Sequence, residues 1–178
     1  MHRRQLGPAF ACLSDPEAVR QAEAAGAGAT LTLRVGGKTD TLHGPPLEAT
    51  FTVVKLADGT FEEPEARHGG MRHYDQGRTA IVRTGTGLTL MLTTRRMVPF
   101  SLHQLTDFGL DPKSFQYLVA KGVNAPLAAY KPVCPSILRV NTPGSTTADI
   151  ESLTFHQRRK SLYPFDRATT WTPRAGEL

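Results

Sequence analysis

Cysteine is nearly missing from these 178 residues: only Cys12 and Cys134 are present, too few for a disulfide framework or a multi-cysteine zinc site. An acidic excess is missing too. Lys and Arg number 21 against 16 Asp and Glu, a formal charge of +5, which excludes an acidic, disordered solvating chain. No stretch approaches the roughly 20 consecutive apolar residues that span a bilayer. Met1-His2-Arg3-Arg4 also lacks the apolar core of a secretory signal. A reducing, cytoplasmic setting without a membrane partner is therefore the expectation. The positive charge is scattered except at Arg158-Arg159-Lys160, and no RNA-binding aromatics at module spacing or recognition-helix pattern accompany it, so no nucleic-acid partner is expected.

What is present is turn-rich and patterned. The 16 glycines and 13 prolines follow no fixed period, which speaks for many turns and against a collagen-like or low-complexity chain. After the apolar run Ala9 to Leu13, Ser14 and Glu17 have capping-box spacing around Pro16, and the alanine-rich stretch that follows reads as a helix ending at Gly26. Thr30 to Val35 alternates with period two, placing Leu31, Leu33 and Val35 on one strand face before Gly36-Gly37 breaks it. Thr50 to Val53 alternates again and runs to Asp58-Gly59, a hairpin signal. Thr79–Arg83 and Leu88–Thr94 flank Thr84-Gly85-Thr86-Gly87 as a second hairpin, and residues 62 to 76 read as an excursion from that sheet. Ser101 and Gln104 repeat the capping-box spacing ahead of a short helix closed by Gly109. Phe115 to Ala120 and Ile137 to Val140 read as buried strands, with a crossover helix over Ala125 to Tyr130. The fold class expected is α/β: a mixed sheet with antiparallel hairpins and a few short helices in a single domain. Its core spans about 9–156, and residues 157–178 form a surface-wrapping tail.

Five strings in order exceed this generic pattern. They are Gly36-Gly37-Lys38-Thr39-Asp40 with His43-Gly44-Pro45-Pro46; Thr94-Arg95-Arg96-Met97-Val98-Pro99-Phe100-Ser101 leading into Phe108-Gly109-Leu110-Asp111-Pro112; Ala120-Lys121-Gly122-Val123-Asn124-Ala125-Pro126; Val140-Asn141-Thr142-Pro143-Gly144; and Tyr163-Pro164-Phe165-Asp166. Together, from about Asp15 to Asp166, they resemble the C-terminal domain of MlrC-like proteins, the family named after the microcystin-degradation peptidase. The resemblance implies a domain that follows a larger N-terminal metallopeptidase half. That half carries the metal ligands and zinc, is absent from this sequence, and is the expected partner as a separate chain or missing part. No cofactor is expected in this chain itself.

The residues agree. A peptidase zinc site needs three convergent ligands and an open position, and no His-Glu-x-x-His occurs. His68, His73 and Asp75 are interrupted by Gly69-Gly70 and read as a solvated excursion. No catalytic residue and no metal ligand is therefore assigned. Candidate substrate-binding residues are Lys38, Asp40, His43, Lys121 and Asn124. Glycines allow close backbone approach beside Lys38, although Thr32 stands where a Walker loop needs its first glycine. Two prolines stiffen the backbone after His43, which favours a structural hydrogen bond. Lys121 ends an apolar run. Family relatives carry histidine near the position of Asn124, where this sequence has a residue that hydrogen-bonds but cannot act as a general acid or base; Asn124 either caps the alanine-rich segment or contacts substrate. If the loops after the two strands adjoin, Lys38 and Lys121 would hold a carboxylate while Asp40 and Asn124 orient the rest of a peptide ligand. Two functions follow: a substrate-cleft-shaping half of an MlrC-type metal-dependent peptidase or hydrolase, non-catalytic alone, or a stand-alone small-ligand module without enzymatic activity.

Overall fold

A computed structural model describes residues 7–41, 43–65, 70–122, 124–142, 147 and 149–170. Met1–Arg4, His68 and Pro173–Leu178, which figure in the sequence expectations, lie outside the described residues. Two compact units divide after Leu138. The first is the expected mixed α/β arrangement. Its strands are β1 (Ala9–Ser14), β2 (Thr30–Val35), β3 (Leu47–Ala57), β4 (Thr60–Glu62), β5 (His73–Asp75), β6 (Thr79–Arg83), β7 (Leu88–Thr93) and β8 (Tyr117–Val119). Its helices are α1 (Pro16–Ala25), α2 (His103–Thr106) and α3 (Leu127–Tyr130).

The large sheet has the order β2-β3-β6-β7-β1-β8, and β4 pairs with β5 in a separate two-stranded sheet. β1 runs parallel to both β7 and β8, whereas β2, β3, β6 and β7 join as antiparallel neighbours. The apolar run Ala9 to Leu13 is thus a central strand. Side chains alternate across it and its neighbours: Ala80, Val82, Leu90 and Leu92 pack beneath α1, while Phe10, Ile81 and Met91 face the aromatic cluster of Phe61, Tyr74, Phe100 and Phe108. Both faces of the sheet centre are buried, which is why β6 and β7 are nearly continuous apolar runs.

The eleven-residue β3 serves two neighbours in succession. Leu47 to Thr52 pairs with β2, Thr52 to Ala57 with β6, and the register shifts between Val53 and Lys55. A bulge of this kind bends a strand and increases its twist. α1 packs on β2, β3, β6 and β7, and the end of β2 is brought to the end of β1, as the Gly36 N–H to Asp15 Oδ2 hydrogen bond of 2.9 Å records.

Several expectations are corrected. Ser14 belongs to β1, so the helix cap is Asp15, whose Oδ1 accepts from Ala18 N at 3.0 Å. Asp58-Gly59 does not close a hairpin between its flanking strands, because β3 pairs with β6 and β4 turns away to pair with β5. Gln104 does not complete a capping box: it is buried and donates to Gln76 Oε1 at 2.9 Å, while Ser101 Oγ accepts from His103 N at 3.1 Å. The strand expected over Phe115 to Ala120 shortens to Tyr117–Val119 at the sheet edge, and the crossover helix to a single turn, Leu127–Tyr130. Ile137 to Val140 forms no strand; Leu138 is 81% and Val140 77% exposed. Pro132 and Pro135 precede this four-residue run, and Arg139 interrupts it, so neither ladder nor burial is available.

In the second unit Phe155 and Phe165 meet edge to face at 5.3 Å, Arg158 lies 5.0 Å over the Phe165 ring, and its guanidinium forks onto Asp166 at 2.7 and 3.2 Å. That contact holds the Asp166 carboxyl down at about 2. No helix among the described residues is long and apolar enough to cross a membrane.

Candidate functional site

The carboxyl ends of parallel strands are where open α/β sheets place ligands, and in this sheet β1 and β7 end together: Ser14 pairs with Thr93, and Asp15 N donates to Thr93 O at 2.9 Å. The chain leaves β1 through Asp15 into α1 and leaves β7 into Thr94-Arg95-Arg96, so both exits face the same end. The loop after β2 closes the third side. An open cavity of about 470 Å³ lies between them, lined among others by Asp15, Glu17, Arg20, Gly37, Lys38 and Arg96.

Asp15 organises this wall. It is 3% exposed; Oδ1 receives Ala18 N and, at 3.0 Å, Lys38 Nζ, while Oδ2 receives Gly36 N. A buried carboxylate survives only when paired and hydrogen-bonded in this way. Lys38 Nζ reaches Glu17 Oε2 at 3.0 Å as well, and Gln21 Nε2 donates to Glu17 Oε1 at 3.2 Å. Gly36 and Gly37 take φ of +66° and +58° to make the turn. A Cβ on Gly37 would lie 2.7 Å from the Pro45 carbonyl carbon and Pro46 N, so the loop packs against its own return path.

Of the residues expected to bind substrate, Lys38 lines the cavity but is tied to two carboxylates. Asp40 and His43 are brought together on the same loop, Oδ1 of Asp40 standing 2.8 Å from His43 Nδ1 and 3.1 Å from His43 N. Lys121 and Asn124 stand on the loop after β8 and are not among the cavity's lining residues. α3 has Pro126 at its N-cap, and the Asn124 main-chain carbonyl accepts from Leu127 N at 3.0 Å.

A second open cavity, about 450 Å³, is lined by Glu62, His73, Tyr74, Asp75 and Asp107 among others. Its charges are paired: His73 Nδ1 lies 3.0 Å from Glu62, Asp75 holds Arg95, and His103 Nδ1 is 3.0 Å from Asp107. Beneath the opposite sheet face Tyr130 is buried and Cys12 half-buried beside it, and desolvation pushes the Cys12 thiol up to about 12.

Residues 1–157 match the family model for the MlrC C-terminus. The chain belongs to this family. This MlrC C-terminal domain is 24% identical over 161 residues to Microcystinase C from Sphingomonas sp., covering 90% of this chain and 29% of that protein. A solved structure named "Putative metallopeptidase" from Mesorhizobium sp. BNC1 matches with a TM-score of 0.77 and 30% identity, over 93% of this chain and 32% of the other. The domain therefore spans about a third of the length of these relatives. The metal that such a name implies does not fit the side chains at hand: among the described residues no three His, Cys, Asp or Glu side chains converge.

Three lining residues of the MlrC domain's cavity, Asp15, Arg20 and Arg96, were not among the sequence candidates. Asp15 carries a usable signal, an acid directly after a short apolar run and before Pro16. Arg96 stands in the string Thr94 to Ser101 but has no role assigned there, and Arg20 carries no signal; both line the cavity because β1 and β7 end together.

Proposed function

We propose that this domain shapes the substrate cleft of an MlrC-type metal-dependent hydrolase and supplies neither the metal nor the bond-breaking groups. The observation that carries the reading is the open, cationic cavity at the carboxyl ends of β1 and β7, in a domain whose relatives are about three times its length. The partner is an N-terminal metallopeptidase half, on the same or another chain, and zinc belongs to that half. In this reading Lys38, Asp40 and His43 present one wall of the cleft and Lys121 and Asn124 another, in a cytoplasmic enzyme.

The test is reconstitution. The domain is mixed with a separately made metal-binding half from a relative, and peptide hydrolysis is followed with and without a chelator. Hydrolysis by the mixture, lost on chelation and undetectable for the domain alone, is the expected result. Hydrolysis by the domain alone, or a mixture no faster than the metal-binding half, overturns the reading.

A further inference from the structure

We infer that Arg20 and Arg96 form a binding site for a single carboxylate, the free carboxyl group of a peptide, at the mouth of the β1/β7 cavity. Three cations and two carboxylates line the cavity. Every oxygen of those carboxylates is engaged: Asp15 Oδ1 by Ala18 N and Lys38, Asp15 Oδ2 by Gly36 N, Glu17 Oε1 by Gln21 and Glu17 Oε2 by Lys38. Lys38 is consumed in the same network. Neither arginine has a carboxylate partner among the described residues, and Arg96 donates from Nη2 to the Thr39 hydroxyl at 3.4 Å.

The surplus is one positive charge, which suits a monoanion. A phosphate dianion would meet the same guanidiniums but also two fixed carboxylates on the wall. Guanidinium forks match planar carboxylates through paired N–H donors, and the cavity is large enough for several residues of an extended peptide. Its rim amides on Gly37 to Thr39 would sense an occupant. The link to a hydrolysed peptide rests on the reading above, whereas carboxylate binding is measured on this chain alone, without any hydrolysis.

The experiment is an NMR titration of the labelled domain at low salt with N-acetyl-Ala-Ala, with its C-terminal amide, and with inorganic phosphate. The free acid is expected to shift the amides of Gly36 to Thr39, with the C-terminal amide binding about tenfold more weakly. The double variant Arg20→Gln/Arg96→Gln should lose about tenfold in affinity at an unchanged melting temperature, since both side chains are exposed. Arg83→Gln, on β6 and outside the cavity, should bind as the parent does. Equal binding of acid and amide, an unaffected double variant, or tighter binding of phosphate than of the acid would each overturn the assignment.

Discussion

Replacing Asp15 with alanine removes three interactions at once, and their sum can be worked from the geometry. The α1 cap on Ala18 N is worth about 1 kcal/mol. Gly36 N–H, half-buried at the end of β2, loses its acceptor, a cost of about 1 kcal/mol at the lower end of the range for an unsatisfied donor. Lys38 keeps Glu17, and with its side chain 29% exposed its share falls to about 0.5 kcal/mol after solvent screening. The total is about 2 to 3 kcal/mol, which for a chain of this length lowers the melting temperature by about 5 to 10 °C. Asp15→Asn retains one acceptor for Ala18 N and should lose about half as much. Thermal melts followed by circular dichroism decide the matter. An alanine variant that melts within about 1 °C of the parent would show that Asp15 does not join β1, α1 and the loop after β2.

Gly37→Ala should be destabilised by at least about 1 to 2 kcal/mol from its left-handed backbone alone, with a further loss from the clash with Pro45 and Pro46. A urea series checks it, and a Gly37→Ala midpoint equal to the parent's would contradict the packing of the loop. Burial that raises Cys12 to about 12 keeps it a neutral thiol, so iodoacetamide at pH 8 should leave it unmodified until the protein is denatured. Native-state modification as fast as that of an ordinary exposed thiol would contradict the upward shift. Because the folded Asp166 carboxyl sits at about 2, below its unfolded value, the contribution of the Arg158 pair is present above the ordinary carboxylate range. It should be lost as the pH falls toward 2. A carboxyl NMR titration should place the midpoint there, and Arg158→Gln should raise it part of the way to the ordinary range, because the Leu162 N–H still donates to Oδ2.

The antiparallel half of the fold was legible because its signals are local. Thr84 to Gly87 closes β6 and β7 as the glycine spacing indicates, and Leu33 and Val35 are buried on one face of β2 as period-two alternation requires. β1 gave no such signal: Ala11 and Leu13 pack on the cluster under α1 and Phe10 and Cys12 on the aromatic cluster, so its residues do not alternate in polarity. Asp58-Gly59 misled because a turn residue reports that the chain bends, not which strand it pairs with next. The candidate site was half legible for the same reason. Lys38, Asp40 and His43 share one loop, where sequence spacing is informative, but of the three only Lys38 lines the cavity. Asp15, Arg20 and Arg96 line one cavity only because β1 pairs with β7, which no local pattern encodes.

The central claim, that this domain binds substrate and leaves bond breaking to the other half, is tested most directly by kinetics of the reconstituted enzyme carrying Arg20→Gln/Arg96→Gln. The account predicts a KM for a peptide with a free carboxyl group raised about tenfold with kcat retained, the pattern of lost uniform binding. A fall in kcat at unchanged KM would place these arginines in transition-state stabilisation and contradict it.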